Sequence, residues 1–478
     1  MWAALPVIAL PIANLAWSAA NLPSVRVIVW EAHVVSTLSG IQKVVVGSTV
    51  MGQMNLENKE AIYKEARVQA WTVLERSMVP GSGLKAAAKS TLYPHVWARD
   101  ACIASLGILS ARRGRKDLDT VLDSLGTLAR HQTELGRMPL KVDPVEDQVV
   151  AENSAGVDSG LWFVIVVDAL RQIAGDEVAA PFTQAALNAL HWSLHLDVNG
   201  CGLLESPEAS DWADMLPNRH NVLGTNVLFY SALCAGSRIA TTQGDRALSK
   251  SIKRRAREVQ KKVNLLFWPQ ACTDAAGTGK WLEELEAEYP EWSRTGAVIA
   301  PRGSLSYYLP YIGFRCAGSY CDIPGNALAI LTGLAPEDRA HSILDHMNQT
   351  GCAAPYPSKA IDPPILPGDP DWRDYFLWRD LNRPHRYQNG GIWPFIGSFH
   401  IAALVQMERY DEALQLLDRL VEACYDHGKW TFPEWMHAQS GQAMGERQQA
   451  WSASGLLFAM TAVEQRTVAP CFSPLNDP

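Results

Sequence analysis

Residues 151–170 read AENSAGVDSGLWFVIVVDAL. The run Leu161–Val167 is apolar at every position, the pattern of a helix buried on all sides rather than one resting on a surface. It opens on a carboxylate, Asp158, two residues after Gly156 and four before Trp162. Aspartate is a preferred helix N-cap, because its side-chain oxygen satisfies backbone N–H groups that have no intrahelical partner. Capping alone would explain Asp158. So would chemistry, and the rest of the chain has to separate the two.

With 478 residues and 47% hydrophobic content, the chain can bury a large core. Its net charge of −8 and pI near 5.9 argue against nucleic acid or an anionic membrane as partner. The one basic cluster, Lys253-Arg254-Arg255-Ala256-Arg257, lies in a helical stretch and reads as a solvated face. Nine cysteines are scattered without a CxxC pair, several within apolar runs such as YSALCAGS. They read as reduced thiols and point to a cytoplasmic protein. Residues 1–20 are apolar and end in small residues, yet the first basic residue is Arg26. The signal-peptide pattern is therefore incomplete, and residues 1–55 are expected to be a non-secreted N-terminal extension of unknown role.

From residue 57 the periodicity is helical, with Ile62, Ala66, Ala70 and Leu74 on one stripe. Further helical runs fall near 99–113, 116–134, 158–175, 180–196, 220–242, 247–268, 325–333, 336–349, 392–407, 409–427 and 447–465. Twelve helices joined by alternating short and long loops pack as antiparallel pairs, and six pairs can close into a ring. The expectation is an all-α chain, an (α/α)6 toroid over residues 56–467 with a tail at 468–478. The long connections 196–220, 268–325 and 350–392 concentrate tryptophans, acids, glycines and prolines, so the chemistry is expected where they gather.

Metal and phosphate chemistry find no motif. His341 and His346 are five apart and do not share a helix face, and HExxH is missing. GTGKW at 277–281 lacks the first glycine of a P-loop, and no GxSxG occurs. No metal and no cofactor are expected. What remains is acids set among aromatics. HVWARDACIAS places Trp97 beside Arg99 and Asp100, and SPEASDWADMLP packs Glu208, Asp211 and Asp214 around Trp212. YQNGGIWPF sets Gln388 and Asn389 on a turn before Trp393, and KWTFPEWMHAQSG places Glu434 beside Trp435. QQAWSASG brings Gln448 and Trp451 to the last helix. Any one of these acids could be an ion-pair partner or a solvated loop residue, and any one tryptophan a core residue. Together they are the parts of a carbohydrate site: flat faces for the sugar, planar polar groups for its hydroxyls, and two carboxyls for glycoside hydrolysis.

These motifs resemble the neutral/alkaline invertase family and, more widely, the six-hairpin glycosidases that include amylo-α-1,6-glucosidases. VDSGLWFVIVVDAL is similar to that family's VDSGLWW run, YQNGGIWP to its YHNGGxWP, and the segment from Lys429 to Gly455 to its last active-site stretch. NALAILTGLA and VLFYSAL match in order as well, so the resemblance is colinear over roughly residues 57–466. It implies an (α/α)6 toroid and inverting hydrolysis without a cofactor. It implies Asp158 as general acid, Glu434 as general base, and Arg99–Asp100 as the pair that holds the sugar ring. Trp97, Trp162, Trp212, Asp214, Gln388, Asn389, Trp393, Trp435, Gln448 and Trp451 are the remaining candidates for sugar contact. For Asp158 to act as an acid, desolvation beside Trp162 is expected to raise its pKa. An inverting pair would be spaced about 6.5–9.5 Å apart.

The family carries an acid followed by two arginines where this chain has SDWADMLPNR, which loosens the inference to sucrose itself. The expected activity is hydrolysis of a small soluble α-glucoside, invertase-like. A debranching-type amylo-α-1,6-glucosidase, or a hydrolase of a glucosylated compatible solute such as glucosylglycerate, is the alternative. A sugar-binding protein that has lost catalysis is the rival of another class. The partner is a small carbohydrate, and an oligomer is left open.

Overall fold

The structure, a computed structural model, describes residues 56–150, 156–269, 280–299, 305–426 and 429–475, all within the unit Ser48–Pro478. The expected N-terminal extension lies outside the described residues. Fourteen α-helices run through the described residues. They are α1 (Leu56–Ser77), α2 (Ala98–Ala111), α3 (Arg115–Arg130), α4 (Ser159–Ala174), α5 (Asp176–Ser193), α6 (Leu223–Thr242) and α7 (Arg246–Leu266). There follow α8 (Lys280–Glu288), α9 (Ser293–Ile299), α10 (Ile323–Leu331), α11 (Glu337–Gln349), α12 (Pro394–Gln406), α13 (Tyr410–Cys424) and α14 (Ala450–Gln465). Twelve of them are the helices expected from periodicity. The other two, α8 and α9, are short and sit inside the long connection 268–325.

Two kinds of helix alternate. In α12 every residue from Pro394 to Val405 is buried, and α4, α6 and α14 are nearly as enclosed. In α3 only one stripe turns inward, with Leu118, Val121, Leu125 and Leu128 at its centre, and α7 buries Ala256, Val259 and Val263 while Arg254 and Arg257 face solvent. The enclosed helices pack on one another in a circuit: α2 on α4, α4 on α6, α6 on α10, α10 on α12, α12 on α14, and α14 back on α2. The amphipathic helices back them, α3 on α2, α5 on α4, α7 on α6, α11 on α10 and α13 on α12, with α1 against α14. The hydrophobic run at Leu161–Val167 is thus buried by neighbours on both sides within one continuous core.

The enclosed helices share a way of beginning. None of α2, α4, α6, α10, α12 and α14 has a side-chain N-cap. Backbone N–H groups at these starts donate instead to carbonyls of other loops: Ala98 to Leu140, Val157 to Ser210, Leu223 to Pro310, Ile323 to Ala360, Trp393 to Ser358 and Ala450 to Ala86. Two- and three-residue ladders reinforce these joints, among them Val96–Trp97 with Lys141–Asp143 and Cys321–Asp322 with Ile361–Asp362. The long connections are therefore stitched to the helix starts, and that carries their side chains to one end of the circuit. All eight described cysteines are free thiols, Cys316 and Cys321 included. No helix among the described residues is long and apolar enough to cross a membrane.

Candidate active site

Asp158 occupies the N-cap position of α4, but its side chain caps nothing. Its two oxygens instead accept from the Arg99 guanidinium, Oδ2 from Nε at 2.6 Å and Oδ1 from Nη2 at 2.8 Å. Both side chains are buried, 2% exposed for Asp158 and 7% for Arg99. The capping explanation of Asp158 is set aside. Trp162 is 3% exposed and stacks on Phe399 in the core, where it lines a small cavity shared with Asp158 and Asp211. The planar fork of Arg99 holds both Asp158 oxygens in place. Arg99 thus directs its Nε and Nη2 donors to Asp158.

Glu434 stands on the loop between α13 and α14, in a hairpin that pairs Trp435 with Met444. Its Oε1 accepts from the Tyr93 hydroxyl at 3.0 Å and its Oε2 from the backbone N–H of Glu446 at 2.9 Å. Burial pushes its carboxyl up to about 7 against those two donors, and the charges of Glu446 and Asp214 add to the rise. Gly445, at φ +64°, makes the fit possible, since a methyl group there would fall 2.5 Å from Glu434 Oε2 and 2.7 Å from the Trp435 ring.

Other acids converge between these two. Asp100, in the first turn of α2, is buried, and desolvation pushes it up to about 7, with Arg99 opposing and Glu434 adding. Asp214 is open to solvent yet crowded by protein, as at the floor of a cleft. Desolvation raises its carboxyl, while Arg99 and a hydrogen bond from Gln388 pull it down. The Tyr387 hydroxyl is raised by burial and then by Asp214, Glu434, Tyr93 and Asp100, which surround it. Asp211 and Asp322 lie deeper and are pushed up by burial to about 6 and about 8, the first with Asp158 adding and the second with Asp211.

The sequence-derived candidates separate into two groups. Trp97 is half-buried with an edge toward Tyr93, and Trp212 is half-buried with edges toward Trp393 and Phe395. Trp451 stacks on Phe395 at 4.4 Å. The indole N–H groups of Trp97 and Trp451 and the Gln448 carbonyl are buried without a protein partner among the described residues. A second group is committed to the scaffold, contrary to expectation. Asn389 is fully buried, its amide taking Ile365 N–H and donating to the carbonyls of Ile365 and Asn382. Gln388 accepts from Met215 N–H and donates to Trp212 O and Asp214 Oδ1, which positions Asp214. Trp393 donates to Tyr387 O and is 1% exposed, and Trp435 is 2% exposed against Tyr387. Glu208 lies apart, clamped by Arg373 and Tyr375. Sequence reasoning named Asp211 among the acids around Trp212 without giving it a role; it missed Tyr93, whose signal was its place four residues before Trp97, and Tyr387 and Asp322, which only the fold brings close.

Residues 320–466 match the family of alkaline and neutral invertases. Alkaline/neutral invertase CINV1 of Arabidopsis thaliana is 26% identical over 450 residues, covering 83% of this chain and 79% of the plant protein. A mitochondrial neutral/alkaline invertase of Oryza sativa is 24% identical over 344 residues, but the match spans only 52% of that protein. Among solved structures, a mannosylglycerate hydrolase of Thermus thermophilus in complex with glucose aligns with a TM-score of 0.58 at 16% identity, over 82% of this chain and 99% of that one. A bacterial glucoamylase complexed with acarbose aligns with a TM-score of 0.59 at 11% identity, over 86% of this chain and 56% of that one. At such identities the structural likeness is one of fold.

Proposed function

We propose that this chain, which belongs with the neutral/alkaline invertases and their six-hairpin relatives, is an (α/α)6 toroid that hydrolyses a small soluble α-glucoside with inversion. The observation that carries the proposal is the pair of buried carboxyls, Asp158 and Glu434, in opposite surroundings and linked through the same acids. Glycoside inversion needs one carboxyl to protonate the leaving oxygen and one to activate water on the far face of the ring. In this reading Asp158 supplies the proton and Glu434 takes one from water. Asp100 and Asp214 meet sugar hydroxyls, and Trp97, Trp212, Trp451 and Gln448 line the sugar. The residues 56–467 form the catalytic domain. The free thiols fit a reducing, cytoplasmic setting.

Sucrose is the first substrate to offer. A glucosylated compatible solute is a second, a class that a mannosylglycerate hydrolase of the same fold brings into consideration. A panel of sucrose, isomaltose, trehalose, limit dextrin, glucosylglycerate and glucosylglycerol decides among them by glucose release. Proton NMR of the first-formed product tests the stereochemistry: β-glucose from an α-glucoside is expected. Release of α-glucose would mean retention, and no hydrolysis by wild-type protein of any member would leave the sugar-binding alternative in its place.

A further inference from the structure

We infer that residues 468–475, the segment that follows α14, close the circuit of enclosed helices at the end away from the site, and that Phe472 in this segment is a positioning residue for Asp158, acting through Trp162. The inference rests on the glucosidase reading above, in which Asp158 is the acid. The enclosed helices begin at the site, so their C-terminal ends lie at the opposite end of the circuit. The segment meets those ends one after another. Cys471 Sγ lies 3.7 Å from Ser110 Oγ of α2, and the Ser473 hydroxyl donates to Gln172 of α4 at 3.2 Å. Arg238 of α6 donates to the Pro474 carbonyl at 3.3 Å. Pro474 also packs closely on Gly333, just past α10, where a methyl group would fall 2.8 Å from its Cβ.

Phe472 is the side chain that this segment sends inward. It is 3% exposed and belongs to the continuous core, its ring edge-on to Trp162 of α4 at 6.3 Å and to Phe399 of α12 at 6.0 Å. Trp162 and Phe399 stack on each other at 6.2 Å, and both line the small cavity that Asp158, Asp211 and Trp212 also line. Phe472 stands behind them, outside the cavity lining. The backbone ties Trp162 to Asp158 as well, its N–H donating to the Asp158 carbonyl at 3.0 Å in the first turn of α4. Phe472 is thus two contacts from the acid without touching the site. Interiors packed this densely transmit strain. Loss of the Phe472 ring takes away one of the two aromatic rings against which Trp162 rests, and the first turn of α4 shifts with it.

A second path leads from Phe399 to Phe395, and from Phe395 to Trp212 and Trp451. A disturbance along that path would loosen the sugar platforms and slow every substrate alike. A disturbance along the Trp162 path would misplace the proton donor alone. The two are separable, because α-glucosyl fluoride departs without a proton and makes no demand on a general acid. Misplacing a catalytic group by about 1 Å can cost about a hundredfold, and a smaller shift correspondingly less.

Initial rates of the full chain on the α-glucoside it cleaves best and on α-glucosyl fluoride give the ratio of the two kcat values. Phe472→Ala is expected to lower kcat on the glucoside by about tenfold and to leave that on the fluoride within about twofold. The space left by the ring is apolar, and such cavities stay dry and take up benzene. Saturating benzene should therefore recover most of the lost ratio in Phe472→Ala and leave wild type unchanged. Phe472→Leu, which keeps much of the volume, carries the same test should the alanine variant fail to fold, with a smaller loss in the same direction. Equal losses on both substrates, or a ratio unchanged from wild type, overturn the inference. Asp158→Asn measured alongside tells which statement has failed. If its ratio also matches wild type, the assignment of Asp158 as the acid falls, and the inference with it. If its ratio drops while that of the Phe472 variants does not, the inference alone falls.

Discussion

The two ends of the candidate site hold the same functional group in opposite ways. Asp158 sits at the start of a helix with both oxygens on a buried guanidinium. Glu434 sits on a hairpin loop, with a tyrosine hydroxyl and one backbone N–H for partners and no ion pair among the described residues. Burial is similar, since Asp158 is 1% and Glu434 5% exposed. The difference lies in charge. The helix-borne acid is paired with a buried cation, whereas the loop-borne acid has only neutral donors and is pushed up to about 7. Burial alone therefore does not define the surroundings of an enclosed carboxyl. The partners it meets do.

The largest effect expected is that of Glu434→Gln. Removing the group that activates water should slow hydrolysis of the natural glucoside and of α-glucosyl fluoride together, by about a hundredfold or more. Initial rates on both substrates check it. Asp158→Asn should slow the natural glucoside by about a hundredfold or more as well, but spare the fluoride, which leaves without a proton. Equal losses on both substrates would erase the contrast between the two acids.

Tyr93→Phe sharpens the contrast from the loop side. The Tyr93 hydroxyl donates to Glu434 and favours its ionised form. Without it the Glu434 pKa should rise above its wild-type position, so activity at pH 7 falls and is recovered at higher pH. The acid limb of kcat/KM is the measurement. Stability should follow the same group. Because Glu434 titrates near 7 in the folded protein and near its ordinary 4.5 when unfolded, the folded state binds the extra proton. Its contribution is present in full below the unfolded pKa and is lost as pH rises through 7. The fall of Tm between pH 5 and pH 8 should be smaller in Glu434→Gln than in wild type, and an identical slope would remove Glu434 from the titrating set. The smallest effect on catalysis is expected for Asn389→Ala. Its hydrogen bonds all run within the loop, so the loss should appear as a lower Tm worth about 1–3 kcal/mol, with kcat and KM of the folded fraction little changed.

Much of the helical framework was legible in the residues. The stripe Ala66–Ala70–Leu74 is buried in α1, and the run Leu161–Val167 is enclosed in α4 as its composition required. Of the basic cluster, Arg254 and Arg257 are solvated, while Arg255 is half-buried and donates to Asp197. The short helices α8 and α9 were not seen, being brief turns within a connection rich in glycine and charge. Roles at the site were harder to read. Asn389 and Gln388 look identical in sequence to sugar-binding amides, because a planar amide serves a loop carbonyl as well as it serves a hydroxyl. Asp158 looked like a cap because local spacing favours it. Its actual partner, Arg99, is 59 residues away.

Hydrophobic periodicity, a property of neighbours three and four apart, determined which segments are helices and which of those are enclosed. The residue types also set the chemistry available, with acids and tryptophans gathered into the connections. What those acids are was decided only by tertiary structure. The enclosed helices start on backbone donors answered by loop carbonyls and not by side-chain caps, a pairing with no local signal. That stitching draws Asp100, Asp158, Asp211 and Asp214 together around Arg99, with Glu434 next to Asp100 and Asp214. The charge state of a buried carboxyl depends on what lies within a few ångströms through space, and those neighbours come from four separate parts of the chain.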